Sequence, residues 1–207
     1  MLRLWGRDNS SNVMKVIWLL GELGLEYERL DVGGAFGKTD TPQYRGMNPT
    51  GLVPTLEEDG FVLWESNAIL RYLCQAHAAG SGFYPPQPRA RAIVDQWLDF
   101  QQCELNKPLT VVFWGLVRTA AEKRDMAAIQ AAAKDSGRVW AMVDAALENH
   151  AYVAGDALTI ADMALGVHVH RWFSFAIDRP EATHLRAWYE RLLARPVYAE
   201  HIARPLT

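Results

Sequence analysis

Residues 53–70 read "VPTLEEDGFVLWESNAIL" and contain two short apolar runs, a turn and the beginning of a helix. The turn lies at Asp59-Gly60, a dipeptide that is typical of the tight connection between two antiparallel strands. From Ser66 onward, apolar residues recur at steps of three and four, which is the period of one helix face. This segment therefore predicts a β-hairpin that leads directly into an amphipathic helix.

The residues before this hairpin predict a mixed arrangement of strands and helices. Residues 2–5 and 27–32 each indicate a strand. Between them, apolar residues recur at helical spacing over residues 13–23, and Gly24 is placed to end that helix. Residues 33–51 carry five glycines and two prolines and are predicted to be mostly loop with one short helical turn. The first third of the chain is therefore predicted to form one sheet with helices on its faces.

The sequence changes character at residues 78–88, which read "AAGSGFYPPQP" and contain three prolines and two glycines. Residues 79–88 are interpreted as a linker. Beyond them almost nothing resembles a strand, and the apolar periodicity predicts helices over four ranges: 89–118, 124–149, 160–176 and 181–194. We therefore predict an α/β domain over residues 1–78 and an all-helical domain over residues 89–207.

Composition argues against several classes of function. The chain has 207 residues, a formal net charge of −3 and no run of lysine and arginine, so no nucleic-acid partner is expected. No apolar run reaches the length of a membrane span, and the N-terminus lacks the apolar stretch of a secretory signal, so no membrane partner is expected. Cys74 and Cys103 have no metal-ligand spacing around them, so no metal is expected and the protein is predicted to be cytoplasmic.

The polar residues at two predicted helix starts each allow two interpretations. In "LWESNAIL" (63–70), Ser66 or Asn67 could simply cap the helix. Alternatively, the helix N-terminus and the Ser66 hydroxyl could bind a carboxylate while Glu65 binds an amine, and together they would match an α-amino acid head group. In "RDNSSNVMKV" (7–16), the polar residues could only begin a helix, or one of them could act on a reactive group. The residues alone leave both questions open.

Two other motifs have a structural interpretation. Val53-Pro54 would ordinarily be a trans bond at the start of an edge strand. Thr159 and Asp162 have the spacing of a capping box, with Asp in place of the more usual Glu or Gln, and they predict the start of a helix.

Five motifs, in this order and spacing, resemble the cytosolic glutathione transferase family over essentially the whole chain. They are "SSN" before a helix that ends in "GELGLEYE" (21–28), "NPTGLVPTL" (48–56), "WESNAILRYL" (64–73), "AGDALTIADMAL" (154–165) and "YERLLARP" (189–196). The resemblance implies an α/β thioredoxin-like N-terminal domain that binds glutathione, an all-helical C-terminal domain that lines the electrophile pocket, and a homodimer.

The same resemblance assigns roles to residues of the N-terminal motifs. The backbone of Val53, ahead of a cis Pro54, would pair with the peptide of glutathione. Glu65 and Ser66 would hold its γ-glutamyl head group, in agreement with the second interpretation of that helix start.

The glycine end of glutathione has a less regular partner. Many relatives carry lysine, arginine or glutamine directly before the position of Val53, where this side chain reaches the glycine carboxylate. This chain has Leu52 there, and Lys38 in the preceding loop is the candidate replacement.

The resemblance places the hydroxyl that faces the thiol at Ser10. The pattern of Ser10, Asn12 and Lys15 resembles a bacterial branch with Ser or Thr followed by Asn, and neither tyrosine nor cysteine stands at this site. Ser11 is expected to lie on an extended segment and to point away. Asn12 is expected both to cap the helix and to contact glutathione.

The predicted protein is therefore a detoxification enzyme, a transferase whose co-substrate is glutathione. Ser10 would stabilise the glutathione thiolate while it attacks a small hydrophobic electrophile. One alternative is a glutathione-dependent disulfide oxidoreductase that uses the same site for thiol–disulfide exchange. The other is a non-catalytic glutathione-transferase-like binding module, which the presence of Ser10, Glu65 and Ser66 disfavours.

Overall fold

The computed structural model describes all 207 residues, and the chain divides into two compact units, residues 1–84 and 85–207. The division falls within the stretch 78–88 that is rich in proline and glycine. The first unit contains the sheet, and the second is helical. The predicted combination of an α/β thioredoxin-like domain and an all-helical domain is confirmed.

The first unit is built on a four-stranded mixed sheet with the strand order β2-β1-β3-β4. Its strands are β1 (Leu2–Trp5), β2 (Tyr27–Leu30), β3 (Thr55–Glu58) and β4 (Phe61–Trp64). β1 is parallel to β2 and antiparallel to β3, and β3 and β4 form the predicted hairpin around Asp59-Gly60. Both turn residues have positive φ, 48° and 88°, as a tight hairpin turn requires.

Three α-helices accompany this sheet: α1 (Ser11–Leu23), α2 (Pro42–Met47) and α3 (Ser66–His77). α1 ends as predicted at Gly24, which is left-handed with φ 63° and donates its N–H to carbonyls of the last turn. The segment 33–51 contains two helical pieces instead of the one predicted, because a 3-10 turn at Gly34–Phe36 precedes α2.

α1 differs from its predicted amphipathic form. Every residue from Val13 to Leu20 is buried, including Lys15. The period of the apolar residues indicates one buried face, but α1 also packs on α3. More than one side of the helix is therefore covered. A polar residue at an inner position of α1 is therefore held among buried neighbours.

The second unit consists of six α-helices. They are α4 (Pro88–Phe100), α5 (Asn106–Phe113), α6 (Met126–Ala146), α7 (Ile160–Ser174), α8 (Thr183–Leu193) and α9 (Pro196–His201). The single helix predicted over 89–118 is present in span, but π-helical segments at Gln101–Leu105 and Trp114–Arg118 follow α4 and α5. The short helix α9 was not predicted.

The N-terminus of α7 carries the predicted capping box. The Asp162 carboxylate accepts hydrogen bonds from the Thr159 amide at 2.9 Å and the Thr159 hydroxyl at 3.1 Å. It also accepts from the Val153 amide and from the Trp188 indole N–H, each at 3.0 Å. Since every residue from 160 to 172 is buried, this carboxylate ties the start of the central helix to a loop and to α8.

His170, on the same helix, is buried and hydrogen-bonded through both ring nitrogens. Its two ring nitrogens lie 2.8 Å from the Tyr189 hydroxyl and 2.8 Å from the Arg204 carbonyl oxygen. The carbonyl can only accept, so Nε2 carries the hydrogen and Nδ1 accepts from Tyr189. Burial lowers the pKa of His170 below its ordinary value of 6.5, since it penalises the charged ring.

We therefore expect the contribution of His170 to be present above about pH 6.5 and to be lost as the pH falls through its lowered pKa in the folded protein. His170→Gln keeps a donor and an acceptor but does not titrate. The difference in free energy of unfolding between wild type and this variant should shrink from about pH 7 to about pH 5 in denaturant titrations. A constant difference over that range would contradict the assignment.

Candidate functional site

The N-termini of α1 and α3 have no side-chain capping hydrogen bond from their cap residues. Ser10 and Glu65 occupy the cap positions, and neither side chain makes a capping hydrogen bond. The first turns of both helices also lack acidic residues. By contrast, α6 is capped by Asp125. For α3, the first interpretation placed the cap at Ser66 or Asn67, but the cap position belongs to Glu65 and Ser66 is the first residue of the helix.

Ser10, which the sequence predicts to face the thiol, has a hydroxyl that makes no capping hydrogen bond to α1. Its backbone is extended (φ −84°, ψ 125°), and the residue is only 9% exposed. Ser11 is the first residue of α1 and does not belong to an extended segment, so the expected alternation of side-chain direction does not apply. Ser11 is nevertheless distinct from Ser10, since it begins the helical turn while Ser10 precedes it.

Asn12 and Ser66 are brought together, although they are 54 positions apart in sequence. The Ser66 hydroxyl donates to Asn12 Oδ1 at 3.3 Å. The prediction that Asn12 caps α1 is wrong, because Ser10 occupies the cap position. The Asn12 side chain is instead turned toward α3. These two predicted binding residues therefore join the starts of α1 and α3.

Lys15 extends this cluster and was not predicted as a site residue. Its ammonium donates to Ser66 Oγ and to Asn67 Oδ1, each at 3.4 Å, and the residue has no exposed surface. The sequence placed Lys15 only within a family motif. Its position among the apolar residues of α1 gave no sign that it would be buried against α3.

Glu65 has an unusual backbone. Its φ is 72° and its ψ is 112°, in a region that favours glycine, and holding a residue with a side chain there costs of the order of 1–3 kcal/mol. Its carboxylate is exposed and makes no hydrogen bond or ion pair within the protein. A strained backbone that presents an unused carboxylate beside buried Ser66 is a feature of ligand-binding positions.

The loop before Val53 is held firmly in place. The carbonyl oxygen of Leu52 accepts from the Tyr44 hydroxyl at 2.7 Å and from Asn48 Nδ2 at 2.9 Å. Asn48 Oδ1 in turn accepts from the amide and the hydroxyl of Thr50. These contacts fix the backbone immediately before Val53.

Val53 itself is left available. Its N–H and C=O take part in none of the backbone hydrogen bonds, and its side chain packs beside Gly6 and Gly33. The Val53-Pro54 bond is cis, as the family resemblance implied and contrary to the ordinary expectation. An extended peptide could therefore pair with the Val53 backbone.

Lys38 is not brought into the cluster of Asn12 and Ser66. It lies in an exposed loop with φ 70°, and its ammonium has no hydrogen bond or ion pair. The next residue, Thr39, places its methyl group near Gly33, which also borders Val53. Leu52 is 66% exposed and offers no charge. Lys38 thus lies on a loop whose next residue borders the same glycine as Val53.

The buried cysteine of the first unit does not resemble a second reactive centre. Cys74 is buried in α3, and burial raises the pKa of its thiol to about 12, so it remains protonated at neutral pH. Cys103 is exposed. The protein contains no group of three or more histidine, cysteine or acidic side chains that could hold a metal ion. No helix combines the length and the apolar character needed to cross a membrane.

Comparison with known proteins matches both units of the chain to domain families of one kind of protein. The family described as glutathione S-transferase, N-terminal domain, matches residues 1–75, and the corresponding C-terminal domain family matches residues 102–196. Glutathione S-transferase GstB of Escherichia coli strain K12 is 36% identical over 209 residues, which cover all of both chains. Glutathione S-transferase 3 of Zea mays is 30% identical over 208 residues, 98% of this chain and 93% of the maize protein.

The solved structures that this chain resembles include further glutathione S-transferases. The theta class glutathione S-transferase from Xanthomonas axonopodis pv. citri, with glutathione bound, is 45% identical to this chain. It superposes with a TM-score of 0.95 and covers 100% of this chain and 99% of its own. A glutathione S-transferase from Pseudomonas fluorescens Pf-5 has a TM-score of 0.84 at 31% identity, over 95% and 96% of the two chains.

Proposed function

The chain belongs to the glutathione S-transferase family, and from this premise we propose that it conjugates the thiolate of glutathione to a small hydrophobic electrophile, with Ser10 as the thiolate donor. The observation that carries the proposal is the pair of uncapped helix starts at Ser10 and Glu65, joined through Asn12 and Ser66. The Xanthomonas relative, 45% identical, was solved with glutathione bound.

The chemical task is to keep a thiol ionised at neutral pH. A free thiol has a pKa of about 8.5, and each unit by which it is lowered requires about 1.4 kcal/mol of preference for the anion. The Ser10 hydroxyl is free to donate to the sulfur, and the first-turn N–H groups of α1 carry partial positive charge. Together these donors favour the thiolate over the thiol, and the thiolate is the nucleophile that attacks the electrophile.

The remaining contacts would position the tripeptide. The Glu65 carboxylate would accept the α-amine of the γ-glutamyl group, and Ser66 with the first turn of α3 would donate to its α-carboxylate. The free N–H and C=O of Val53 would pair with the cysteinyl residue. The unpaired Lys38 ammonium would be the partner of the glycine carboxylate.

The electrophile is expected to be bound by residues of the helical domain, and cytoplasmic localisation and a role in detoxification remain predictions from the sequence and the family. A homodimer is expected as well. Sedimentation should give a mass of about twice the 23.3 kDa chain at micromolar concentration. A sedimentation mass equal to that of one chain would contradict the homodimer but would not bear on the proposed activity.

Retention on a glutathione resin, followed by two activity assays, tests the function. We expect retention, conjugation of an apolar electrophile and a slower rate of disulfide reduction with two glutathione molecules. Faster disulfide reduction than conjugation would replace the transferase by the oxidoreductase. Retention without either activity would indicate the binding module, and absence of retention would refute glutathione as the co-substrate.

Replacing Glu65 by alanine should weaken glutathione binding by about 1–3 kcal/mol, the scale of a lost charge-assisted hydrogen bond. Alanine meets the same positive φ as glutamate, so the backbone cost is kept while the carboxylate is removed. Calorimetry on the folded variant measures the affinity, with exposed Glu122→Ala as the control. Equal affinity in Glu65→Ala and wild type would remove Glu65 from the site.

A further inference from the structure

Lys15 is a charged side chain in an interior position. It lies in the second turn of α1 with no exposed surface, and its ammonium donates to the first two residues of α3, Ser66 and Asn67. Moving an ammonium out of water is costly, so a lysine at such a depth needs polar partners, and Ser66 and Asn67 are two of them.

The ammonium is aimed at a place that is already favourable to a negative charge. α3 begins at Ser66, its cap residue Glu65 makes no capping hydrogen bond, and its first turn has no acidic residue. The partial positive charge of a 12-residue helix therefore meets the full charge of Lys15 at the same residue. Ser66, only 4% exposed, lies between them.

We infer that Lys15 is a positioning residue for the α-carboxylate of the γ-glutamyl group, and this inference rests on the proposed glutathione function. Lys15 does not touch the ligand. It acts through Ser66, by donating to the Ser66 oxygen and by adding positive charge behind it.

The hydrogen bond from Lys15 decides where the Ser66 hydroxyl hydrogen points. A serine hydroxyl has one hydrogen to donate, and Lys15 occupies a lone pair of the oxygen, so that hydrogen must point away from Lys15. In the free protein it points to Asn12 Oδ1. A bound carboxylate can take this hydrogen, and a hydroxyl that accepts from an ammonium is a stronger donor than an isolated one.

A purely structural Lys15 gives a different pattern of binding. If Lys15 only held α1 against α3, its loss would weaken every ligand of the site to a similar degree. If it positions Ser66 for the carboxylate, its loss should matter only for ligands that carry that carboxylate. The two ligands that separate these cases are glutathione and γ-aminobutyryl-cysteinyl-glycine, which is glutathione without the glutamyl α-carboxylate.

The experiment measures calorimetric affinity for both ligands in the full-length protein and its variants. Lys15→Met and Lys15→Gln remove the charge, and the second keeps a donor in case the first fails to fold. Both should bind glutathione roughly ten-fold more weakly than wild type and change binding of the decarboxylated analogue less than about two-fold. Lys15→Arg should recover part of the loss, and exposed Lys123→Met should match wild type for both ligands.

Kinetics provide a second readout. Because the γ-glutamyl carboxylate is distant from the reacting sulfur, the neutral variants should raise KM for glutathione and leave kcat nearly unchanged. Equal losses for both ligands, or a fall in kcat without a change in KM, would overturn the positioning role and leave the transferase intact. Unchanged glutathione affinity in both Lys15→Met and Lys15→Gln would also overturn the positioning role. A wild-type protein that binds no glutathione would refute the proposed function and this inference with it.

Discussion

Ser10→Ala is expected to lower the conjugation rate at neutral pH by about ten-fold or more, with little loss of glutathione affinity. The variant removes a hydroxyl that α1 does not use as a cap, so helix stability should change little. The lost interaction is made mainly with the anionic sulfur, and the pKa of the bound glutathione thiol should therefore rise. An effect on kcat without one on ground-state binding marks such an interaction.

The measurement is a thiolate titration by ultraviolet absorbance, with glutathione bound to wild type, Ser10→Ala and Ser11→Ala. Ser11→Ala is the matched control, because it removes the same group one position further along, at the first residue of α1. Melting curves show whether either variant loses the fold. If Ser11→Ala shifts the titration and Ser10→Ala does not, the wrong serine has been assigned. If neither does, the α1 amides or Asn12 hold the thiolate instead.

Asp162→Ala is expected to destabilise the protein by about 3–5 kcal/mol, which is a large fraction of the stability of a typical domain. The substitution leaves four donors without their acceptor, among them the Val153 amide and the indole of Trp188, which has no exposed surface. Burial raises the pKa of the Asp162 carboxyl to about 6 although these donors favour its ionised form, so it is mainly a carboxylate at neutral pH.

Denaturant unfolding followed by far-ultraviolet circular dichroism measures this loss. Asp125→Ala is the matched control, since Asp125 caps α6 through a single exposed hydrogen bond and should cost only about 1 kcal/mol. Asp162→Asn keeps one acceptor oxygen, so its loss of stability should lie between those of Asp162→Ala and Asp125→Ala. Equal costs for the Asp162 and Asp125 alanine variants would mean that the buried network adds nothing beyond an ordinary cap.

Features that depend on a few neighbouring residues followed from the sequence alone. The hairpin turn at Asp59-Gly60, the end of α1 at Gly24 and the capping box of Thr159 and Asp162 each lie within a few positions. Glycine tolerates the left-handed backbone that such turns need, and a capping box joins residues three apart, so local chemistry is sufficient. The family motifs added the order of the domains, because they occur along the whole chain.

The arrangement of the site depends on residues far apart in sequence, and only the tertiary structure decides it. Lys15 lies in a helix whose apolar period left room for a solvent-facing side, yet its ammonium is buried against Ser66, 51 positions later. Asn12, expected as a cap, is turned toward the same residue. Helical periodicity indicates one buried face, but it does not indicate that a second helix packs on another face. The packing of α1 against α3 is such a case, and it brings the ammonium of Lys15 to the hydroxyl of Ser66, next to the strained backbone of Glu65.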